Sequence, residues 1–416
     1  MRRVLYLHHG GGLGGAPLSL LYLIRQLDRT AYWPVVVTLK PGPVVELFQS
    51  EGIETYTDSS ISDFSHTTLE WYGGADLWRL PGKLLSILPS IRHTRRLVER
   101  VMPDLVHLNS STLAPSAIGA AEAGAPLVWH IREPLARGYL GLRRAWIRQV
   151  IDRYAERVIA ICQHDAAQLI PSDRIRVVYN FVSFNQFDRS ISGETIRAEL
   201  SIPPDAPLVI MLGGVARPKG TLTLLRAIPI IRRSVPRAVT LVAGPPPHAP
   251  SGVAGSLSLL SPGQLAKDVG KLVLGVEAYN NQVWRAWRAM RPTDRESIIF
   301  AGMRRDVPAL LAACDLLAFP SSAPHFARPV IEAAAMGKPA VASNLGGPDE
   351  LIVDGETGLL CPPDDPHALA GAIIELLANP DRAQAMGEAA YQRARRLFDA
   401  ATNAAATTAI YDEVLG

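Results

Sequence analysis

Cysteine is nearly absent: the 416 residues hold three, Cys162, Cys314 and Cys361, far apart in the chain. An odd, scattered set fits reduced core residues far better than a disulfide framework or a cysteine-based metal cluster. Cys162 and Cys314 sit in apolar runs, where a reduced thiol packs as a small hydrophobe. Long hydrophobic runs are missing as well. None reaches the ~18 residues that a membrane-spanning helix needs. Met1-Arg2-Arg3 leads into a strand-like VLYLHH that glycines cut short, which is not the pattern of a signal peptide, so a cytoplasmic protein is expected. Strong charge of one sign is the third absence. Lys and Arg total 42 against 39 Asp and Glu, a net +3 with a pI near 8.8, too mild to imply nucleic acid as a partner.

What is present is the make-up of a folded protein, with 48% hydrophobic and 19% charged residues. The length exceeds one ordinary domain and suffices for two sizeable cores. Helix and strand signals alternate: VELFQSEG then IETYT, VERVMP then DLVHLN, IGAAEAG then PLVWHI, WIRQVIDRYAER then VIAIC, HDAAQLI then IRVVYN. Such alternation predicts an α/β fold with a doubly wound parallel sheet. The more polar Ser183 to Pro207 marks a junction, after which LVIMLGG, VTLVAG, SIIFAG, DLLAF, AVAS and GLLC form a second series. Two Rossmann-like domains are therefore expected, 1–185 and 186–397, with a Pro/Gly-rich insertion near 245–295.

The first strand, Arg3 to His8, runs into HGGGLGGAPLSLLYLIRQLD. Gly10, Gly12 and Gly15 satisfy G-x-G-x-x-G, but a dinucleotide site also needs an acid at the end of the next strand, and PVVVTLK ends in Lys40. The glycines fit equally a loop whose backbone approaches a phosphate or sugar and a plain tight turn.

The richest stretch is DLLAFPSSAPHFARPVIEAAAMGKPAVASNLGGPDELIVDGETGLL, from Asp315 to Leu360. A strand over Asp315–Phe319 stops at Pro320, and another covers Ala340–Ser343. Between them a short helix starts near Pro329, carries Glu332 in its first turn, and ends at Gly337. A helix entered from a strand-end loop is where an open α/β sheet binds anions. Glu332 fits two roles, a dipole-complementing acid or a carboxylate accepting hydrogen bonds from a ribose diol. Earlier, Arg217 and Lys219 stand on a strand-end loop beside a helix start, which suits a diphosphate or solvent alike.

This stretch resembles the donor-binding signature of glycosyltransferase family 4 (group 1), the retaining, nucleotide-sugar-dependent enzymes of GT-B fold. Pro320-Ser321, Phe326, Arg328-Pro329, Glu332-Ala333, Gly337-Lys338-Pro339, Gly346-Gly347, Glu350, Asp354-Gly355 and Gly358 fall in the family's register. The resemblance implies two domains facing a central cleft, with a helix over 398–416 packing back on the first. It implies a UDP-, GDP- or dTDP-sugar as donor substrate, and a glycan or lipid-linked glycan as acceptor. On its motifs Glu332 binds ribose and Lys219 the diphosphate, with Arg217 able to stand in for the family's arginine only if the loop is rearranged; His325, Phe326, Arg328 and Val330 complete the donor site; Gly14 and Gly15 belong to the facing glycine loop. His130 matches the histidine aimed at the transferred sugar, with His107, Asn109 and Glu133 as candidate acceptor contacts. No Asp-x-Asp occurs, so charge neutralisation is expected from protein cations without metal or other cofactor. Two positions depart from the pattern. Pro324 stands where the family has its first glutamate, leaving His325 as the nearest replacement, and Gly214 stands where it has an arginine. A scaffold that binds nucleotide or a partner without catalysis therefore stays open beside the enzyme.

The sequence also suggests peripheral contact with an anionic membrane at the inner face of the plasma membrane. Trp71, Tyr72 and Trp78 precede a run bearing Lys83, Arg92, Arg95, Arg96 and Arg100, and a second basic helix carries Arg143, Arg144, Arg148, Arg153 and Arg157. Ordinary solvated helix faces are the competing reading.

Overall fold

A computed structural model describes residues 1–65, 80–244, 246–248 and 279–416. They divide into two compact units, Met1–Asn185 with Ala394–Gly416, and Gln186–Arg393.

The first unit is built on seven parallel strands, β1 (Arg2–His8), β2 (Tyr32–Thr38), β3 (Glu54–Thr57), β4 (Leu105–Leu108), β5 (Leu127–Ile131), β6 (Arg157–Ala160) and β7 (Ile175–Val177). Their order is β3-β2-β1-β4-β5-β6-β7. The central strands are apolar throughout because helices cover both faces. Pleating sends Leu5, Leu7, Val35, Val37 and Trp129 to one core and Val4, Tyr6, Val36 and Val128 to the other. Helix Ala400–Leu415 closes the second core with Ala400, Ala404, Ile410 and Tyr411.

The second unit has six parallel strands, β8 (Leu208–Leu212), β9 (Val239–Ala243), β10 (Ile298–Phe300), β11 (Leu316–Phe319), β12 (Ala340–Ser343) and β13 (Gly358–Cys361). They run in the order β10-β9-β8-β11-β12-β13. Every strand read from the sequence is present. In each sheet the order reverses at one place, between β1 and β4 in the first and between β8 and β11 in the second. Loops leaving the carboxyl ends of those neighbouring strands diverge and leave a crevice, the usual ligand site of an open α/β sheet.

Most of the expected insertion, residues 245 and 249–278, lies outside the described residues, as do Trp71, Tyr72 and Trp78. The described part of the insertion includes helix Tyr279–Ala289, which buries Val283 in the second unit's core. The second basic helix needs correction as a cationic face. Arg143 is 1% exposed, and its guanidinium donates to the Phe64 and Ala136 carbonyls at 3.0 and 3.1 Å. Arg144 and Arg148 likewise cap the carbonyls of Leu135 and Leu169. Arg157 opens β6 and pairs with Glu413. These cations satisfy interior backbone oxygens or an acid.

Candidate functional site

In the second unit, β8 ends in Gly213-Gly214, and a 3₁₀ turn, Arg217–Lys219, leads into helix Thr221–Ser234. β11 ends at Phe319, and the loop Pro320–Ala327 leads into helix Arg328–Ala335. Two glycines pin that loop. Gly220 has φ +71°, and a Cβ on it would stand 1.6 Å from the Pro320 carbonyl oxygen; Gly347 has φ +115°, and its Cβ would stand 2.1 Å from the His325 carbonyl oxygen. Only glycine allows both the left-handed backbone and the close approach. The backbones carrying Lys219 and His325 are thus fixed against one another.

Between them lies a charged cluster. Lys219 Nζ is 3.2 Å from His325 Nε2 and 5.0 Å from the centroid of the Phe319 ring. Burial pulls the Lys219 ammonium down to about 8, with Glu332 opposing the shift. His325 Nδ1 lies 2.8 Å from the Ala323 carbonyl oxygen, which can only accept. The ring therefore carries its proton on Nδ1 and presents a lone pair at Nε2. Burial, then the neighbouring ammonium, hold the imidazole down to about 3, so it is neutral at any working pH. Glu332 accepts from Arg328 Nε at 2.7 Å, and both side chains are almost enclosed. Burial pushes the Glu332 carboxyl above its ordinary range, against the pull of Arg328 and Lys219.

One detail differs from the sequence reading. The helix begins at Arg328, so Glu332 stands in its second turn and takes its first partner from its own helix. Phe326 and Val330 are buried, and the Val330 N–H is bonded to Ala327 at 2.9 Å. They shape the loop and offer no polar side chain. Arg217 is exposed on the turn that presents Lys219. Gly214, in place of an arginine, has φ +65° and packs against Gly244.

In the first unit, Gly14 is the N-cap of helix Gly15–Gln26, without a side-chain cap, and a Cβ on Gly14 would meet nothing within 4 Å. Where the strand order reverses, Asn109 after β4 donates from Nδ2 to Nδ1 of His8 at 3.1 Å and accepts from Arg132 Nε at 2.7 Å. Arg132 also donates to Asn180 Oδ1 at 2.6 Å. His130, on β5, is 1% exposed with neither ring nitrogen hydrogen-bonded. Burial, then Arg132 and His107, hold its protonation well below the usual histidine range.

His107 is fully buried, its Nδ1 2.7 Å from the Tyr411 hydroxyl and its ring 5.3 Å from that of His130. This places it in the core, away from any acceptor. Glu133 Oε1 receives Ser110 Oγ, Ser111 N and Ser111 Oγ at 2.6–2.8 Å, stapling the loop after β4. His8 and Arg132 did not stand out in sequence. The signal for His8 was its place as the last strand residue before a glycine loop.

Residues 192–393 match the family model described as Glycosyl transferases group 1, and residues 13–186 match Glycosyltransferase Family 4. The chain belongs to the group 1 glycosyltransferases. Among its relatives is D-inositol 3-phosphate glycosyltransferase 2 of Catenulispora acidiphila, 29% identical over 96% of this chain and 90% of the relative. Alpha-maltose-1-phosphate synthase of Mycolicibacterium smegmatis is 28% identical over 74% of this glycosyltransferase and 76% of the relative. The fold is GT-B: Anabaena HepE, solved in complex with UDP-glucose, superposes at a TM-score of 0.74 with 22% identity, covering 99% of this glycosyltransferase and 100% of HepE. No described helix is long and apolar enough to cross a membrane.

Proposed function

We propose that this glycosyltransferase moves a sugar from a nucleotide diphosphate sugar to a hydroxyl of a glycan or lipid-linked glycan, with retention of configuration and without metal. The observation that carries the reading is the placement of Lys219 and the Glu332–Arg328 pair around the strand-order reversal of the second unit. Lys219 and Arg217 bind the diphosphate; Glu332 accepts from the ribose hydroxyls. The relatives named for sugar transfer and the UDP-glucose complex of HepE support such a donor. In the reaction the bond from the anomeric carbon to the phosphate oxygen breaks, and the acceptor oxygen bonds to that carbon on the same face. The acceptor's proton passes to the departing phosphate. Proximity and charge stabilisation carry the rate.

Incubation with labelled UDP-, GDP- and dTDP-sugars in EDTA is expected to give transfer or slow donor hydrolysis with one nucleotide. Activity that appears only with added Mg²⁺ would remove the metal-independent part. Nucleotide binding with no turnover of any donor would favour the scaffold, which the Pro324 and Gly214 departures keep in view.

The acceptor side extends this reading to a membrane surface. Helix Leu80–Val101 turns Leu84, Leu85 and Leu88 to solvent, 53%, 78% and 61% exposed, followed along the exposed face by Arg92, Arg95 and Arg96. Arg95 is engaged by Glu99, so Arg92 and Arg96 are the cations to test. Each basic residue near an anionic surface adds about 1 kcal/mol. The protein is expected to sediment with phosphatidylglycerol vesicles at low salt and less with phosphatidylcholine, and R92Q/R96Q is expected to narrow the difference. Equal sedimentation with both vesicles would refute membrane attachment by charge.

A further inference from the structure

We propose that His325 is a positioning residue for Lys219: its neutral imidazole accepts a hydrogen bond from the Lys219 ammonium and orients that cation toward the donor diphosphate. The inference rests on the nucleotide-sugar reading above and concerns a position where the chain leaves its family's pattern, beside Pro324.

Both ring nitrogens face a partner. Nδ1 is spent on the Ala323 carbonyl at 2.8 Å, and Nε2 faces Lys219 at 3.2 Å. The face of the ring lies near Phe319, with centroids 5.4 Å apart. His325 is 4% exposed, so it does not stand out toward a sugar hydroxyl in the way a replacement for the missing glutamate would. The loop bearing it is fixed by the Gly220 and Gly347 contacts, so the lone pair is held in place by backbone. A lysine ammonium has three donors on a flexible four-carbon stem. One bond to His325 removes the stem's freedom before the ligand arrives, so less is lost on binding. The acceptor's neutrality matters. A carboxylate would orient the ammonium but cancel its charge toward a phosphate, whereas an imidazole orients it and leaves the charge. Among the described residues, Glu332 of helix Arg328–Ala335, itself paired with Arg328, acts on the Lys219 charge.

His325→Phe keeps an aromatic ring against Phe319 and removes the acceptor; His325→Gln restores an oxygen acceptor. Affinity for UDP, GDP and dTDP and for the matching nucleosides would be measured by calorimetry from pH 6.5 to 9.5. For the nucleotide the wild type binds, H325F is expected to lose on the order of tenfold in diphosphate affinity, the loss usual for one hydrogen bond to a charged group. Nucleoside affinity should hold. Without its acceptor the ammonium is less stabilised, so the pH at which diphosphate affinity falls should move down, and H325Q should return both quantities toward wild type. Equal losses of diphosphate and nucleoside affinity, an unmoved pH midpoint, or no recovery in H325Q would each overturn the assignment. Binding alone decides this test, so a wild type that binds but never transfers sugar defeats the transferase reading and leaves the role of His325 standing on its own result.

Discussion

Lys219→Met is expected to slow sugar transfer on the order of 10²–10³-fold, the usual loss when one preorganised donor is removed from a developing negative charge. Methionine keeps the unbranched stem in its place beside Phe319 and removes the ammonium. The departing nucleotide diphosphate then gathers charge opposite a thioether. A pH profile adds a second signature. Burial holds the Lys219 ammonium down to about 8. A lysine lowered in this way is charged below that pH and neutral above it. Affinity for the diphosphate should therefore be highest below about pH 8 and fall as pH rises through it, with proton uptake on binding in the alkaline range. His325 is neutral throughout and contributes no second step. In K219M the alkaline fall should vanish along with most of the rate. A variant that retains wild-type kcat/KM, or retains the alkaline fall, would remove Lys219 from the chemistry.

Removal of the Glu332 carboxylate should be the largest effect on stability. Arg328 and Glu332 have side chains only 10% and 11% exposed, and their 2.7 Å contact compensates two charges taken out of water. Glu332→Ala leaves the guanidinium enclosed without its acid, a change that typically costs about 3–5 kcal/mol. Thermal unfolding of the second unit should shift down by on the order of 10 °C. The same variant should lose nucleotide affinity, so the two effects must be separated. Arg328→Met with Glu332→Met replaces the pair by apolar side chains of similar length. Such replacements of buried pairs are often neutral or stabilising. The double variant is expected to regain most of the melting temperature and none of the nucleotide affinity. If nucleotide affinity returns with stability, Glu332 serves the fold and does not touch the ligand.

The strands were legible because burial on both faces makes them continuous apolar runs. Leu208–Leu212 and Ala340–Ser343 need no partner to be recognised. The candidate site was legible only where its residues follow a motif in register, as Lys219 and Glu332 do. The contact between Lys219 and His325 joins residues 106 positions apart. It depends on β8 and β11 being neighbours, which no local pattern states. Charge read as a surface property misled at Arg143, because a guanidinium with five donors can replace water for interior carbonyls. His107 looked like a site residue for a similar reason: its partner, Tyr411, lies 304 positions away.

The place of helix Ala400–Leu415 has a consequence for the order in which the molecule is made. Its residues Ala404, Ile410 and Tyr411 complete a core otherwise built from the first 185 residues, and all of Gln186–Arg393 is synthesised in between. At about 5–20 residues per second that interval is on the order of ten seconds or more. On the ribosome the early domain therefore waits with Val4, Tyr6 and Val36 incompletely covered while the later domain can finish first. The nascent chain is most exposed to chaperones and proteases on the side that emerged earliest, and the first domain closes only once helix Ala400–Leu415 has itself been made.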